Sequence, residues 1–347
     1  MISCTEFIPA YSEVFKFIDD KSGRQAVYDF WKNLFQPENS PLDGLITQYG
    51  RLPGCWKNWY TVYTEEACDN TMLYNEQEGW LLGCMHHCPS KGRFQKLGYM
   101  EPFDEYCRHC DSYDIVFQKH GIGHRIDYRG SDQAKCREII FDPDKFQGDP
   151  QGMLDVMYQC EMEGCRFGEN PSQCPMNRPG TKALHTTADA YKYLHRDFHI
   201  SMALCLQYVT DHYGETGLQE YLTRFVRAFH GPLLARIREK GLNAIADYLI
   251  GLYTEEEAED ALEVVRGDTT LDVFVHYCPA LRHFQTRSFV PQKSFALTKE
   301  ILYTLLAVES GLGFRMYNHN PQSGATHFCF WTQNRESRKV DIIERAG

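Results

Sequence analysis

Cysteine and histidine residues are concentrated near the end of the first third of the chain. Between Cys84 and Cys110 there are four cysteines and three histidines in 27 residues. Thiolates and imidazoles are the ligands that bind zinc and iron–sulfur clusters, and a thiol beside a histidine can also act as a nucleophile. The stretch therefore indicates a metal site or a thiol active site.

Four cysteines are candidate ligands of one metal centre. Cys88 follows a predicted strand, Cys107 and Cys110 lie about one helical turn apart, and Cys136 lies in the following hairpin. We expect these elements to be neighbours, so that the thiolates meet around zinc or an iron–sulfur cluster. The alternatives are a group of reduced thiols without metal and a redox-active pair formed by Cys107 and Cys110.

A second group of cysteines lies in a segment rich in aspartate, glycine, proline and asparagine. Its three members, Cys160, Cys165 and Cys174, are one short of a four-thiolate site. Cys136 or a histidine could complete such a site, but the spacing matches no iron–sulfur pattern. The composition is typical of a linker between domains.

The His-x-Cys-Pro motif that contains Cys88 recurs at Cys278, 190 residues later. A Tyr-Thr-Glu-Glu motif and two glycines followed by an arginine recur at the same offset, so that Arg125 corresponds to Arg315. The common order indicates an internal repeat, with copies at roughly 15–141 and 206–331.

Each copy predicts the same succession of elements. Helices with apolar residues at three- and four-residue spacing come first, and the Tyr-Thr-Glu-Glu motif is expected to open another helix, with Thr64 or Thr254 as its N-cap. A small β-α-β-β unit follows. In the first copy its first strand, 80–85, leads into the His-x-Cys-Pro motif, and its helix, 103–119, contains Cys107 and Cys110.

This succession predicts an α+β fold. We expect two tandem homologous domains, each with a helical half and a β-α-β-β unit, at 1–145 and 196–347. The segment 146–195 is then a cysteine-containing linker.

Two His-x-Cys pairs are candidate catalytic groups: His86 with Cys88, and His276 with Cys278. A neighbouring histidine lowers the pKa of a thiol and activates it as a nucleophile. Both pairs flank a single strand residue, so their members share a face only where the strand stays regular.

The second copy has Leu297 and Glu300 where the first has Cys107 and Cys110, so we expect its site to have a different role. Glu300 could ligate a metal or act as an acid or base. The arginines at matched positions could bind a carboxylate through two hydrogen bonds. The candidate substrate-binding residues are Arg125, Arg315, His283 and Glu300.

The composition excludes several classes of partner. The net charge is −11 without a basic stripe, which argues against nucleic acid. The first residues do not form a secretory signal, and apolar runs are too short to cross a bilayer, so we expect a cytoplasmic protein without a membrane partner. Cysteines in that compartment stay mostly reduced. The oligomeric state, including a homo-oligomer, is left open.

The second copy resembles the L-2-amino-thiazoline-4-carboxylic acid hydrolase-like family of bacteria, and more distantly the 4-vinyl reductase-type ligand-binding domains. The resemblance covers roughly 200–332, and extends to the first copy through the repeat. It depends on short motifs: Tyr213-Gly214-Glu215, Cys278-Pro279, and Gly324 followed by Cys329 and Trp331. The cysteines that match the family's are Cys278 and Cys329 in one copy, and Cys88 and Cys136 in the other.

The resemblance implies hydrolytic opening of a cyclic amidine, in which water adds to the ring carbon between nitrogen and sulfur. A metal-bound water or Cys–His covalent catalysis would serve such chemistry. The leading hypothesis is thus a cytoplasmic bacterial hydrolase that acts on a small, anionic or heterocyclic substrate. The alternatives are a non-catalytic module that binds or senses a metal or small molecule, and an iron–sulfur-dependent redox or lyase enzyme.

Overall fold

The computed structural model describes residues 2–165 and 167–332, and the chain divides into two compact units. The cysteine-rich unit, Phe15–His195, contains ten of the fourteen cysteines. The C-terminal unit comprises Met1–Val14 together with Arg196–Gly347. The segment 146–195, expected to be a linker, lies within the cysteine-rich unit.

The fold class predicted from the sequence, α+β, is confirmed. The helices are α1 Phe7–Ser22, α2 Arg24–Leu34, α3 Pro41–Tyr49, α4 Arg51–Glu65, α5 Pro89–Leu97, α6 Asp114–Lys119, α7 Pro150–Met162, α8 Phe198–Phe229, α9 Gly231–Lys240, α10 Leu242–Glu255, α11 Pro279–Thr286 and α12 Lys293–Ser310. The strands are β1 Asp69–Asn75, β2 Trp80–His87, β3 Gly123–Asp127, β4 Cys136–Phe141, β5 Lys182–Thr186, β6 Leu262–Arg266, β7 Thr270–Val275, β8 Leu312–His319 and β9 Thr326–Thr332.

The cysteine-rich unit is built on an antiparallel sheet of order β3-β4-β2-β1-β5. Its edge strand β5 comes from the segment expected to be a linker and pairs with β1. The same segment forms α7, where the Asp149 carboxylate accepts the backbone N–H groups of Gln151 and Gly152, each at 3.0 Å. A capping aspartate followed by a proline is a strong helix start, so this segment has structure of its own.

The two faces of this sheet are covered differently. Alternate residues of a strand point to opposite faces, so Leu81 and Met85 on β2 pack with the apolar residues of α3, α4 and α6. Leu82 and Cys84 point the other way and pack with the apolar residues of α7. The sequence of β2 therefore directs chemically active side chains to both faces.

The C-terminal unit has a four-stranded antiparallel sheet of order β6-β7-β9-β8. In the cysteine-rich unit, β1-β2-β4-β3 have the equivalent order. Helices precede both sheets, and α8 has a non-helical residue at Gly214, with φ 70°. The tandem duplication stays a prediction, for which the common strand order is a necessary condition.

Two details differ from the sequence-based expectations. The Tyr-Thr-Glu-Glu motif ends a helix in each unit instead of opening one: α4 stops at Glu65 and α10 at Glu255. Thr64 is not an N-cap, because its hydroxyl donates to the Tyr60 carbonyl one turn earlier, at 2.8 Å. The helix expected at 103–119 is a 3₁₀ segment, Tyr106–Tyr113, followed by the short α6.

A pair of glycines tests the packing of α3 against α4. A Cβ atom on Gly54 would lie 2.6 Å from the backbone Cα of Ile46, whereas one on Gly44 would meet nothing within 4 Å. Gly54→Ala should therefore destabilise the protein by about 1–3 kcal/mol. Gly44→Ala should stabilise it by about 0.5–1 kcal/mol through helix propensity. Urea denaturation compares the two, and equal effects would contradict this packing.

Candidate functional site

Four thiols predicted to be metal ligands come together at one end of the five-stranded sheet; we call Cys88, Cys107, Cys110 and Cys136 the first thiol site. Cys88 precedes α5, and its backbone N–H donates to the Ala134 carbonyl at 2.6 Å. Cys136 begins β4 opposite Met85 of β2. This pairing places the end of β2 beside the start of β4, and the two cysteines with them.

The other two thiols come from the 3₁₀ segment Tyr106–Tyr113. A 3₁₀ helix has three residues per turn, so the side chains of Cys107 and Cys110 are eclipsed and point the same way. Burial lowers the pKa of His109 to about 4, so its ring is neutral. Because His109 Nδ1 lies 2.5 Å from the Tyr106 carbonyl, it carries the proton and leaves Nε2, 3.6 Å from the Cys110 sulfur, as an acceptor.

The thiols of the first site affect one another electrostatically. Burial, and then the neighbouring Cys107, raises the pKa of Cys88 to about 12. Burial followed by Cys136, Cys88 and Cys107 raises the pKa of Cys110 well above its usual range, and burial followed by Cys88 does the same for Cys136. Four thiolates at this place therefore need a bound cation, as thiolate-ligated metal centres provide.

The spacing of the thiols bears on the kind of metal centre. In the described part of the chain, two groups of three candidate ligand atoms lie within 4.8 Å of one another, and neither contains a thiol of the first site. A single zinc ion, about 2.3 Å from each sulfur, would hold four sulfurs about 3.8 Å apart. No three thiols of the first site lie within 4.8 Å of one another, so the binding of a single zinc ion would require these thiols to move closer together.

His86 does not accompany Cys88. Its ring points to the opposite face of the sheet, where Nε2 lies 2.9 Å from the Thr71 hydroxyl and Nδ1 lies 3.8 Å from the Cys84 sulfur. Cys84 and Cys88 therefore belong to different faces of the same strand end. The structure groups His86 with Cys84, the first cysteine of the cysteine- and histidine-rich stretch, and not with Cys88.

On that opposite face lies a cavity of about 30 Å³. It is lined by four cysteines, which we call the second thiol site: Cys84, Cys160, Cys165 and Cys174. Glu161 of α7 also lines the cavity. The three cysteines of the segment expected to be a linker are thus brought together, and the fourth thiol is supplied by β2. Alternation along β2, with Leu82, Cys84 and His86 on one face, is the sequence signal that could have found it.

A buried arginine contacts Glu161, one of the residues that line this cavity. Arg137 is 1% exposed; its guanidinium contacts the Glu161 carboxylate and donates to the Arg129 carbonyl at 3.0 Å. Burial opposes the charged form of His86, but contacts with Cys165, Cys84 and Glu161 outweigh it and raise the pKa of His86 to about 12. The contact with His86 lowers the pKa of Cys165.

The candidate substrate-binding residues lie on separate elements. Arg125, exposed on β3, donates to the Gln151 side chain at 3.4 Å, and Arg315, exposed on β8, lies 5.5 Å from the ring of Tyr317. His283 of α11 pairs with Asp197 at 2.7 Å. Glu300 is exposed on α12. Arg125 belongs to the cysteine-rich unit and the other three residues to the C-terminal unit.

The C-terminal unit has a different group where the first thiol site lies in the other sheet. Thr326 is opposite Val275, as Cys136 is opposite Met85, so the counterpart of Cys136 is Thr326 by register. Cys329 is three residues farther along β9, opposite Asp272, and so lies on the other face from Thr326.

A lysine is buried beside that position. The Lys299 ammonium is 2.9 Å from the Thr326 hydroxyl and 3.4 Å from the Gly324 carbonyl, and Cys278 lies near enough to interact with its charge. His276 is 55% exposed and 3.8 Å from Glu263. The C-terminal unit therefore holds a lysine cation beside Cys278.

The buried lysine should make stability depend on pH. Burial lowers the pKa of Lys299 from 10.5 to about 8. Between these values the unfolded state binds more protons, so the free energy of unfolding should rise with pH. Relative to Lys299→Met, the wild type should gain about 2–3 kcal/mol between about pH 7.5 and about pH 10. Urea denaturation at both values measures this gain, and parallel pH dependences would contradict it.

One further group of candidate ligands lies in the C-terminal unit. The Glu256 carboxylate accepts the backbone N–H of Cys4 at 2.7 Å and lies 3.0 Å from His199 Nε2. All three residues are buried and belong to one group of candidate ligands. Because the carboxylate is already satisfied by an N–H group and a histidine, the group is adequately explained as a structural contact.

Comparison of the chain with protein-family models, with curated proteins and with solved structures finds no match. Within the described residues, helices long and apolar enough to cross a membrane are absent.

Proposed function

We propose that the cysteine-rich unit binds an iron–sulfur cluster through Cys88, Cys107, Cys110 and Cys136 and serves one-electron redox chemistry. The observation that carries the proposal is the convergence of four thiols from three separate elements: the end of β2, the start of β4 and the 3₁₀ segment Tyr106–Tyr113. Four cysteines are the usual ligands of an iron–sulfur cluster.

The donor set supports a cluster, since clusters take their protein ligands from cysteine thiolates and the first thiol site supplies four of them from separate elements. Burial raises the pKa of Cys107, and Lys91 and Arg108 lie near enough to oppose that rise, so positive charge is present beside this thiol. The four thiols are half-buried, so that a cluster here would be reachable by an electron donor or acceptor.

The ligand set also favours electron transfer over hydrolysis. A hydrolytic metal needs an open position for water or substrate, whereas four thiolates saturate a tetrahedral centre. Covalent catalysis by Cys88 would need a base, and His86 lies on the other face with Cys84. These two points support the redox role over the opening of a cyclic amidine.

Protein purified without oxygen should test the proposal. The wild type should be brown, contain iron and acid-labile sulfide, and lose visible absorbance reversibly on reduction. Cys110→Ala and Cys136→Ala should lower iron and sulfide equally, whereas Cys55→Ala should not, because Cys55 is fully buried among apolar residues.

Two results would overturn the proposal: zinc in place of iron and sulfide in the wild type, or wild-type iron content in both Cys110→Ala and Cys136→Ala. Far-UV circular dichroism would check that each variant is folded, so that a loss of iron is not merely a loss of structure.

A further inference from the structure

The cavity on the face of the sheet opposite the first thiol site has the composition of a second metal site. Its four cysteines come from β2, from α7 and from the loop that follows α7. Cys84 is 6% exposed, and the other three thiols are half-buried. Cys84 and Leu82 lie two residues apart on β2, so both side chains point to the face of the sheet that α7 covers. Cys84 therefore meets the cysteines of α7 and of the loop after it, although they are distant in sequence.

The helix α7 presents its polar end to the same place. Met153, Leu154 and Met157 pack against the sheet at helical spacing, and Cys160 and Glu161 continue this stripe by one turn. An apolar stripe that ends in a thiol and a carboxylate directs both groups inward.

A second observation points to a ligand. Glu161 has a side chain that is 5% exposed, and its Oε1 atom has no hydrogen-bond partner, although Lys135 and His86 lie 3.6 and 3.7 Å away. The Nε atom of Arg137, which is 1% exposed, also has no hydrogen-bond partner. Of these two atoms, Glu161 Oε1 belongs to a residue that lines the cavity, where a bound group would be its neighbour.

We infer that Cys84, Cys160, Cys165 and Cys174 bind a second iron–sulfur cluster. The four thiols line one cavity, and four cysteines are the usual ligands of such a cluster. The guanidinium of Arg137, which is opposite Cys84 in the ladder, places positive charge near that thiol, and this charge would offset part of the negative charge of a thiolate-ligated cluster. The choice of iron and sulfide rests on the proposed function, but the site itself does not depend on the first thiol site.

The two sites would lie on opposite faces of one strand end. Cys84 is opposite Arg137 in the same ladder in which Met85 is opposite Cys136, so one residue step separates the two faces. After burial, the electrostatic interaction with Cys84 is one of the contributions that raise the pKa of Cys136. Two redox centres this close would influence each other's reduction potential through the same electrostatic interaction.

Metal analysis of anaerobically purified full-length protein tests the inference. Cys174→Ala and Cys160→Ala should each lose about half of the wild-type iron and sulfide and keep the half that Cys110→Ala loses. A variant that combines Cys174→Ala with Cys110→Ala should lose nearly all of both, and Cys55→Ala should lose neither. Cys160 lies in α7 and Cys174 in the loop after it, so the inference can still be tested if one of the two variants does not fold.

The outcomes separate the two proposals. Wild-type iron in both Cys174→Ala and Cys160→Ala overturns the second cluster, and so does zinc that disappears from those variants in place of iron. If Cys110→Ala and Cys136→Ala keep wild-type iron while Cys174→Ala and Cys160→Ala lose all of it, the first site is refuted and the second stands.

Discussion

Removal of the cluster from the first thiol site should release the 3₁₀ segment Tyr106–Tyr113 from its native structure. Such segments have poorer hydrogen-bond geometry than α-helices and rarely exceed one turn without support. Here two of the supporting contacts would be the bonds from Cys107 and Cys110 to the metal. Backbone amides of this segment should therefore exchange with solvent much faster in the metal-free protein.

The size of the effect follows from binding linkage. A ligand present at about a thousand times its dissociation constant stabilises the form that binds it by about 4 kcal/mol, which is about a thousandfold in the opening equilibrium. Exchange limited by that opening should accelerate by the same factor. Hydrogen exchange followed by mass spectrometry measures it, with peptides from β7 and β9 as the internal control.

The prediction requires that loss of the metal accelerates hydrogen exchange in 106–113 much more than in β7 and β9. Equal acceleration in peptides from 106–113 and from β7 would indicate general destabilisation, and no acceleration in 106–113 would show that metal does not hold this segment. Cys110→Ala should reproduce the metal-free pattern in protein that retains the second site.

The convergence at the first thiol site is the part that could be predicted from the sequence. Its four cysteines were recognised because a strand end, a pair three residues apart and a hairpin are neighbours in any small α+β unit. The relative direction of Cys107 and Cys110 does not depend on whether their segment is an α-helix or a 3₁₀ helix. Residues three apart share a direction in the 3₁₀ segment Tyr106–Tyr113 as well as in the α-helix expected at 103–119.

The second thiol site could not be predicted from the composition of the segment that supplies three of its cysteines. The segment 146–195 has the residues of a linker, yet Asp149 caps α7 and β5 completes the sheet through pairing with β1. Pairing partners far apart in sequence are not encoded by local propensity. The fourth thiol, Cys84, was accessible from strand alternation alone, since it shares a face with Leu82 and not with Met85.

The pairing register of β9 with β7 is also not predictable from the sequence. The resemblance gives Cys136 and Cys329 the same place in the two copies, whereas Cys329 lies three residues beyond Thr326 on β9. Only the ladder, in which Thr326 is opposite Val275, identifies the counterpart. A shift of three residues changes the face to which a side chain points, and so separates Cys329 from Lys299 and Cys278.

Replacement of Arg137, which forms a buried ion pair with Glu161, should lower the free energy of unfolding more than any other single substitution at the second thiol site. Arg137→Met would leave the Glu161 carboxylate, 5% exposed, without its guanidinium partner. Removal of one partner of a buried pair costs about 3–5 kcal/mol, since the remaining charge stays out of water. Urea denaturation should show this loss with an unchanged dependence on urea concentration.

Arg129→Met is the matched control. Arg129 is 41% exposed; it pairs with the exposed Asp155 and with the buried Asp127, which keeps Arg137 as a partner, so its replacement should cost only about 1 kcal/mol. The double variant Arg137→Met with Glu161→Gln distinguishes a lost attraction from a stranded charge. If the cost comes mainly from the unpaired carboxylate, the double variant should be more stable than Arg137→Met alone, because the glutamine carries no charge that needs compensation. A double variant less stable than the single one would mean that Glu161 contributes independently of Arg137, through the remaining ionic contacts to Lys135 and His86.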